Sequence, residues 1–235
     1  MSNKKQESNT KLKLINYVVI GLALLACVFV TILVFCKPNV SKIYDKNIMK
    51  VVEIKISDDE TTWGYATGCF VDNKGLILTN KHVVYNNTTM QNYTIIQARL
   101  ADSEEWISAT VIKVSDTDDL ALIKIEKQNT SYFKIKKDVK NGEEIYTIGN
   151  PNGFGLSFTT GVVSSNYRKI LYNGQTINTI QTSLVINEGN SGGPVFSNDG
   201  KLVGLVSFRL KDRNSDIIQG VSFAIPASEI KDFIK

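Results

Sequence analysis

Metal chemistry has little to work with in this sequence. Its 235 residues include one histidine, His82, and three cysteines, Cys27, Cys36 and Cys69. No Cys-x-x-Cys pair and no Cys/His cluster with ligand spacing occurs, so no metal site and no cofactor is expected. Two of the cysteines share one apolar stretch near the N-terminus. Cys69 is therefore left without an intrachain disulfide partner in the remainder and reads as a buried free thiol. Positive charge is also scarce where nucleic acid would need it. Residues 1–44 carry a net charge of +5 and residues 45–235 a net of −1. That distribution gives no electrostatic basis for binding nucleic acid. No repeat of 20–50 residues and no low-complexity tract is visible. Gly153-Phe-Gly155 lacks the third glycine and the βαβ surroundings of a dinucleotide loop.

What is present begins with one long hydrophobic run. Ile15–Cys36 spans 22 residues interrupted only by Asn16 and Thr31. As a helix it would be about 33 Å long, close to the hydrocarbon thickness of a bilayer. It ends Leu33-Val34-Phe35-Cys36, with no Ala-x-Ala cleavage site, and Phe35 does not suit a lipoprotein signal. An uncleaved membrane anchor is the expectation. Lys4, Lys5, Lys11 and Lys13 precede it, and Lys37, Lys42, Lys46 and Lys50 follow, so the positive-inside count is a tie. The closer pair Lys11/Lys13 leans toward a cytoplasmic N-terminus. The expected organisation is a tail (1–14), a transmembrane helix (15–36), a linker (37–46) and one globular domain (47–235). A composition that is 43% hydrophobic suffices for one well-packed domain.

From about Lys46 onward the pattern is short β-like runs separated by turn residues. One group is Val51–Ile56, Gly68–Val71, Leu76–Thr79, Ile95–Leu100, Ile107–Val114 and Leu120–Ile125. A second is Glu144–Ile148, Leu156–Ser164, Ile177–Leu184, Pro194–Ser197, Leu202–Phe208 and Val221–Ile225. Turn signals such as Asp72-Asn73-Lys74-Gly75, Asn173-Gly174 and Asn198-Asp199-Gly200 punctuate them. Only the last ten residues, from Pro226, read as a helix, with Ile230, Phe233 and Ile234 on one face. The expected fold is all-β: two six-stranded antiparallel β-barrels and a short C-terminal helix, preceded by one transmembrane helix.

Three segments carry chemistry. His82 lies in Thr79-Asn80-Lys81-His82-Val83-Val84, directly after a strand, and any catalytic imidazole must be this one. Alone, such a histidine is more often structural. Ser191 lies in Gly189-Asn190-Ser191-Gly192-Gly193-Pro194, where small residues let the backbone turn sharply and expose a hydroxyl beside successive N–H groups. Alone, this is a common polar turn. Asp119 closes the acidic stretch Asp116-Thr117-Asp118-Asp119 and opens an apolar strand, where a carboxylate can orient an imidazole.

The order His82, Asp119, Ser191 is that of the trypsin-like triad. The stretch from about residue 47 onward also resembles that family, specifically its HtrA/Deg branch. The matching text is Gly75-Leu-Ile-Leu-Thr-Asn-Lys-His-Val-Val84, Asp119-Leu-Ala-Leu-Ile-Lys-Ile125, Ile148-Gly-Asn-Pro-Asn-Gly153, Ile180-Gln-Thr182, Ile186-Asn-Glu-Gly-Asn-Ser-Gly-Gly-Pro194 and Val221-Ser-Phe-Ala-Ile-Pro226. The resemblance implies a serine endopeptidase with His82 as base, Asp119 orienting it, Ser191 as nucleophile, and an oxyanion hole from the N–H groups of Gly189 and Ser191. It implies that Val206, Ser207 and Phe208 meet the substrate backbone, and that Val185 and Ile186 wall an apolar primary specificity pocket with Glu188 near its rim. Small or medium aliphatic side chains are the expected preference. The partners implied are unfolded or misfolded polypeptides and, through the anchor, the lipid bilayer; a homo-oligomer is left open. By analogy the globular domain is expected outside the cytoplasmic membrane.

Some positions depart from the family pattern. Ser183 stands where the branch usually has an acid, Glu188 replaces a commoner Pro, Arg or Ser, and no PDZ module is expected after the protease domain. Two rival readings stand beside the protease. A proteolytically silent homologue would use the cleft to hold peptides. A glutamyl endopeptidase has a similar His segment but resembles a pattern with a second His where this chain has Ser207-Phe208.

Overall fold

The computed structural model describes residues 2–35, 39–172, 175–211 and 217–235. They form two compact units, up to Val40 and from Ser41 onward. The first is α1 (Ser2–Phe35), a single helix. Its window Lys13–Thr31 has a mean hydropathy of 2.4 with none of it buried, so it is long and apolar enough to cross a membrane. Thr31, a polar interruption, donates its hydroxyl to Cys27 O at 2.7 Å, which satisfies it within the helix. Cys36 and Lys37, at the expected end of the run, and the expected Asn173-Gly174 turn lie outside the described residues.

The second unit starts with a difference from expectation. Most of the expected linker is a helix, α2 (Val40–Asn47). Ile43 on its inner face is buried in the main hydrophobic cluster, and Asn47 donates back to Ile43 O at 2.7 Å. Burial of Ile43, with Tyr44 packed beside it edge-on to Phe158, is what turns a polar stretch into part of the fold.

The first half then contributes β1 (Val51–Ser57), β2 (Gly64–Phe70), β3 (Leu76–Thr79), a one-turn α3 (Lys81–Val84), β4 (Tyr85–Asn86), β5 (Gln91–Asn92), β6 (Ile95–Leu100), β7 (Trp106–Ser108), β8 (Thr110–Val114) and β9 (Ala121–Lys124). Seven of these strands form one antiparallel sheet in the order β7-β6-β1-β2-β3-β9-β8, and β4 pairs with β5. Six strands and a closed barrel were expected here. The expected run Ile107–Val114 is instead interrupted at Ala109: up to there it pairs with β6, ending in the Ala109 N–H bond to Ile96 O at 2.8 Å, and from Thr110 it pairs with β9. That break makes two strands and leaves them as the sheet's two edges.

The second half contributes β10 (Glu144–Gly149), β11 (Ser157–Tyr172), β12 (Gln175–Thr182), β13 (Pro194–Ser197), β14 (Leu202–Lys211), β15 (Ile217–Pro226) and α4 (Ala227–Ile234). These six strands close into a barrel, as expected, in the order β10-β11-β12-β15-β14-β13. In α4, Ile230 and Phe233 are buried as the periodicity requires, and Lys113 Nζ donates to Phe233 O at 2.7 Å near its C-terminal end.

Period-two alternation explains how one strand serves two cores. On β1, Val52, Ile54 and Ile56 face the cluster inside the first sheet. Val51 faces a different cluster, which joins Cys69 and Leu120 from the first half to Tyr146, Phe196, Leu205 and Phe233 from the second. That shared apolar layer holds the two halves together and fixes the cleft at their edge. Apolar burial at about 25 cal/mol per Å² is its driving force.

Candidate active site

His82 owes its position to the two valines that follow it. Val83 and Val84 are buried and hold α3 against the first sheet's core, while the His82 side chain keeps 43% of its surface open to the cleft. Asp119 is fixed from the other side by Leu120, which is fully buried immediately before β9. Four hydrogen bonds then converge on Asp119. Asn80 Nδ2 donates to its carbonyl at 2.9 Å, and the His82 backbone N–H donates to Oδ1 at 3.0 Å. His82 Nδ1 lies 2.8 Å from Oδ2, and the Ser207 hydroxyl donates to the same oxygen at 3.0 Å. Asp118, the rival in sequence, is turned into its own loop, where Thr117 Oγ1 donates to it at 2.7 Å.

The electrostatics follow from this pairing. Burial is the largest single influence on the ring and disfavours its charged form. The hydrogen bond to Asp119 and that carboxylate's charge together outweigh it, so the His82 pKa is raised from its ordinary 6.5. With an ionised carboxylate at Nδ1, that nitrogen carries the proton, and Nε2 is left as the acceptor.

Ser191 sits on a loop held by its carbonyls. Asn152 N–H donates to Glu188 O at 2.7 Å, and Gly193 N–H donates to Asn190 O at 2.9 Å. A trans peptide directs its N–H opposite to its C=O. The N–H groups of Gly189 and Ser191 therefore point away from these partners, and neither meets an acceptor among the described residues. Glycine is required at 189: φ is +91°, and a Cβ there would lie 2.1 Å from Asn150 O. The loop joins the second barrel through Gly192 N–H to Val206 O (3.0 Å) and Val206 N–H to Gly193 O (2.9 Å). The next residue on β14 is Ser207, the one bonded to Asp119. No hydrogen bond links the Ser191 hydroxyl to the His82 ring among the described residues.

The remaining expected site residues fall into place unevenly. The register of β14 against β15 shifts between Val206 and Phe208, and that irregularity turns Ser207 toward Asp119. Val206 and Phe208 are buried, Phe208 stacking on Phe223 at 5.0 Å, and both backbone polar groups of Val206 are taken up by the Ser191 loop. Val185 and Ile186 were expected to wall one pocket together, and they do not. Val185 is 57% exposed, whereas Ile186 is buried in the second barrel's core with Ile145, Val163 and Val195. Neighbours in an extended segment point to opposite sides. Glu188 is exposed. A cleft of about 570 Å³ flanks the His82–Asp119 pair, bounded by Lys81, Asn178, Ser207 and Ile225. Asn80 and Asn152, which hold this site, lie within two of the motifs quoted from the sequence, whereas Thr67, which also holds it, lies outside them all.

The chain has informative relatives. A family model described as trypsin-like peptidase domain matches residues 66–205. The proteins named serine protease HTRA2, mitochondrial, of Drosophila virilis and Drosophila erecta are each 34% identical over 184 residues, covering 76% of this chain. The alignment covers 41% of each of those proteins, so the chain spans about two fifths of the curated relatives it matches. Among solved structures, the HtrA-type protease AlgW with a tripeptide superposes with a TM-score of 0.73 at 23% identity, covering 83% of this chain and 62% of that one. That likeness bears on the fold.

Proposed function

Because the chain belongs to the family of trypsin-like peptidases, and within it to the HtrA type, we propose that its globular unit is a serine endopeptidase cutting polypeptides with His82, Asp119 and Ser191. The observation that carries this reading is the 2.8 Å contact between His82 Nδ1 and Asp119 Oδ2, which leaves Nε2 as a base. In the reaction, Ser191 Oγ attacks the scissile carbonyl carbon as Nε2 takes its proton. The resulting oxyanion is met by the N–H groups of Gly189 and Ser191, each such donor worth about 3–4 kcal/mol of barrier. The imidazolium, stabilised by Asp119, then protonates the leaving amine as the C–N bond breaks. Water, deprotonated by the same nitrogen, releases the acyl group and restores the Ser191 hydroxyl.

The substrate is proposed to be an extended segment of an unfolded or misfolded polypeptide. Only such a chain can lay its backbone against β14 at Ser207–Phe208, beyond the Leu205–Val206 stretch that β13, β15 and the Ser191 loop already pair. Val185 stands where trypsin itself carries its charged selector, so a basic side chain gains no ionic partner there. The apolar α1 is proposed to anchor the unit to a membrane, with the N-terminus cytoplasmic and residues from 37 onward outside.

A fluorophosphonate probe tests the central claim. Wild-type protein is expected to be labelled at Ser191 and to hydrolyse casein, and Ser191→Ala to do neither while keeping its fold by circular dichroism. The missing hydrogen bond between Ser191 and His82 favours one second reading, a silent peptide-holding module. Such bonds are often long before substrate arrives. An unlabelled wild-type chain would establish the second reading over the first.

A further inference from the structure

The loop that carries Ser191 has an unusual property: four carbonyls in succession are occupied. Glu188 O and Asn190 O are held from within the second barrel, by Asn152 and Gly193. The other two are held from the first sheet, and by a single residue. Thr67 Oγ1 donates to Gly189 O at 2.7 Å, and Thr67 N–H donates to Ser191 O at 3.0 Å.

Thr67 is fully buried on β2, and every polar group it owns is engaged around this loop. Its hydroxyl, while donating to Gly189 O, accepts the N–H of Asn150 at 2.9 Å. Its carbonyl accepts the hydroxyl of Thr79 at 2.9 Å, three residues before His82. The close approach continues at Gly192, where an added Cβ would lie 2.2 Å from both Thr67 O and Thr79 Oγ1.

The position of Gly189 O gives the hydroxyl its particular importance. The Gly189–Asn190 peptide lies between the two peptides whose N–H groups serve as oxyanion donors. Because Gly189 is glycine at φ +91°, steric resistance to rotation on its N-terminal side is small. Rotation of this central unit would re-aim the Gly189 and Ser191 N–H groups together. Two bonds oppose that rotation: within the loop Asn190 N–H donates to Asn187 O at 3.0 Å, and across the junction of the two halves the Thr67 hydroxyl donates to Gly189 O. Electrostatic stabilisation by preset donors depends on their being aimed before the charge develops.

Resting on the protease reading above, we propose that Thr67 is a positioning residue: its side-chain hydroxyl locks the Gly189–Asn190 peptide and thereby aims both oxyanion donors. It touches neither substrate nor the reacting atoms. Its removal should therefore lower the rate of the chemical step and leave ground-state binding nearly unchanged.

The test compares Thr67→Val, which keeps the shape and loses the hydroxyl, with Thr67→Ser, which keeps the hydroxyl. All proteins are the full chain in detergent, assayed on one fluorogenic peptide, with kcat expressed per folded molecule from circular dichroism. Thr67→Val is expected to lose about 10- to 100-fold in kcat with KM within about threefold, in line with displacement of oxyanion donors. Its affinity for a peptide boronate should fall by the same factor as kcat/KM, while Thr67→Ser stays within about threefold of wild type on every measure. Wild-type kcat in Thr67→Val, or an equal loss in Thr67→Ser, overturns the assignment. A loss seen only in KM overturns it as well. Thr67→Ala serves as a second apolar variant, and failure of both apolar variants to fold assigns Thr67 a purely structural role instead. If wild type itself resists fluorophosphonate, the protease reading fails and this inference falls with it. A labelled, active wild type beside an unimpaired Thr67→Val refutes the inference alone.

Discussion

Replacing Gly189 by alanine should damage turnover and stability together, and the sizes can be worked from the loop. The residue sits at φ +91°, where a side chain costs about 1–2 kcal/mol of backbone strain. The new Cβ would also lie 2.1 Å from Asn150 O and 2.8 Å from Asn152 N, both backbone atoms with little freedom to yield. Overpacking of this kind costs about 1–3 kcal/mol, so the sum is about 2–5 kcal/mol. For a domain of this size, each kcal/mol lowers Tm by about 2–4 °C, which gives a fall of about 4–20 °C. Relieving the contact requires the loop to move by about 1 Å, a displacement that can cost about 100-fold in rate. Loss of one oxyanion donor is worth about 100- to 1,000-fold in kcat. Peptide hydrolysis and a thermal melt on the same preparation measure both effects. Gly142→Ala is the matched control, because Gly142 has φ +79° but an added Cβ there would meet nothing within 4 Å. It should show strain of about 1–2 kcal/mol and unchanged turnover. Wild-type kcat in Gly189→Ala, or an equal kcat loss in Gly142→Ala, would contradict this account of the loop.

The raised His82 pKa has two consequences of opposite sign. Activity needs the neutral ring, so kcat/KM should fall on acidification in a single-proton step with a midpoint above 6.5. Fold stability gains from the protonated ring: that contribution is complete below 6.5 and fades as pH rises through the folded-state value. Asp119→Asn removes the two raising influences and leaves burial, so its residual activity should titrate below 6.5; an unchanged midpoint would contradict the pairing. Protease added to intact cells should degrade the globular unit, since α1 is proposed to leave it outside; digestion only after lysis would reverse the topology. Cut sites mapped by mass spectrometry in a denatured proteome should show no excess after Arg or Lys, and a majority there would contradict the uncharged Val185 position.

Much of this protein is readable from local pattern, because the physics involved is local. Nearly every expected strand is present, since period-two burial and turn residues act within a few positions of one another. The pairing of His82 with Asp119 rather than Asp118 was also within reach, because Asp119 directly precedes the buried Leu120 that anchors it. The α2 helix was not, since its formation depends on Ile43 finding a cluster built by residues far along the chain. Nor was the split at Ala109, where the chain leaves its pairing with β6 and takes up pairing with β9. The opposite facing of Val185 and Ile186 needed only the alternation rule, once the segment is known to be extended. Thr67 shows the limit most clearly. Its sequence neighbours are ordinary strand residues, and its partners Gly189 and Ser191 lie more than a hundred positions away. Which side chains can react, and in what order they follow one another, is written along the chain itself. Which backbone groups hold them in place is not, because that depends on two halves of the fold meeting at atomic distance.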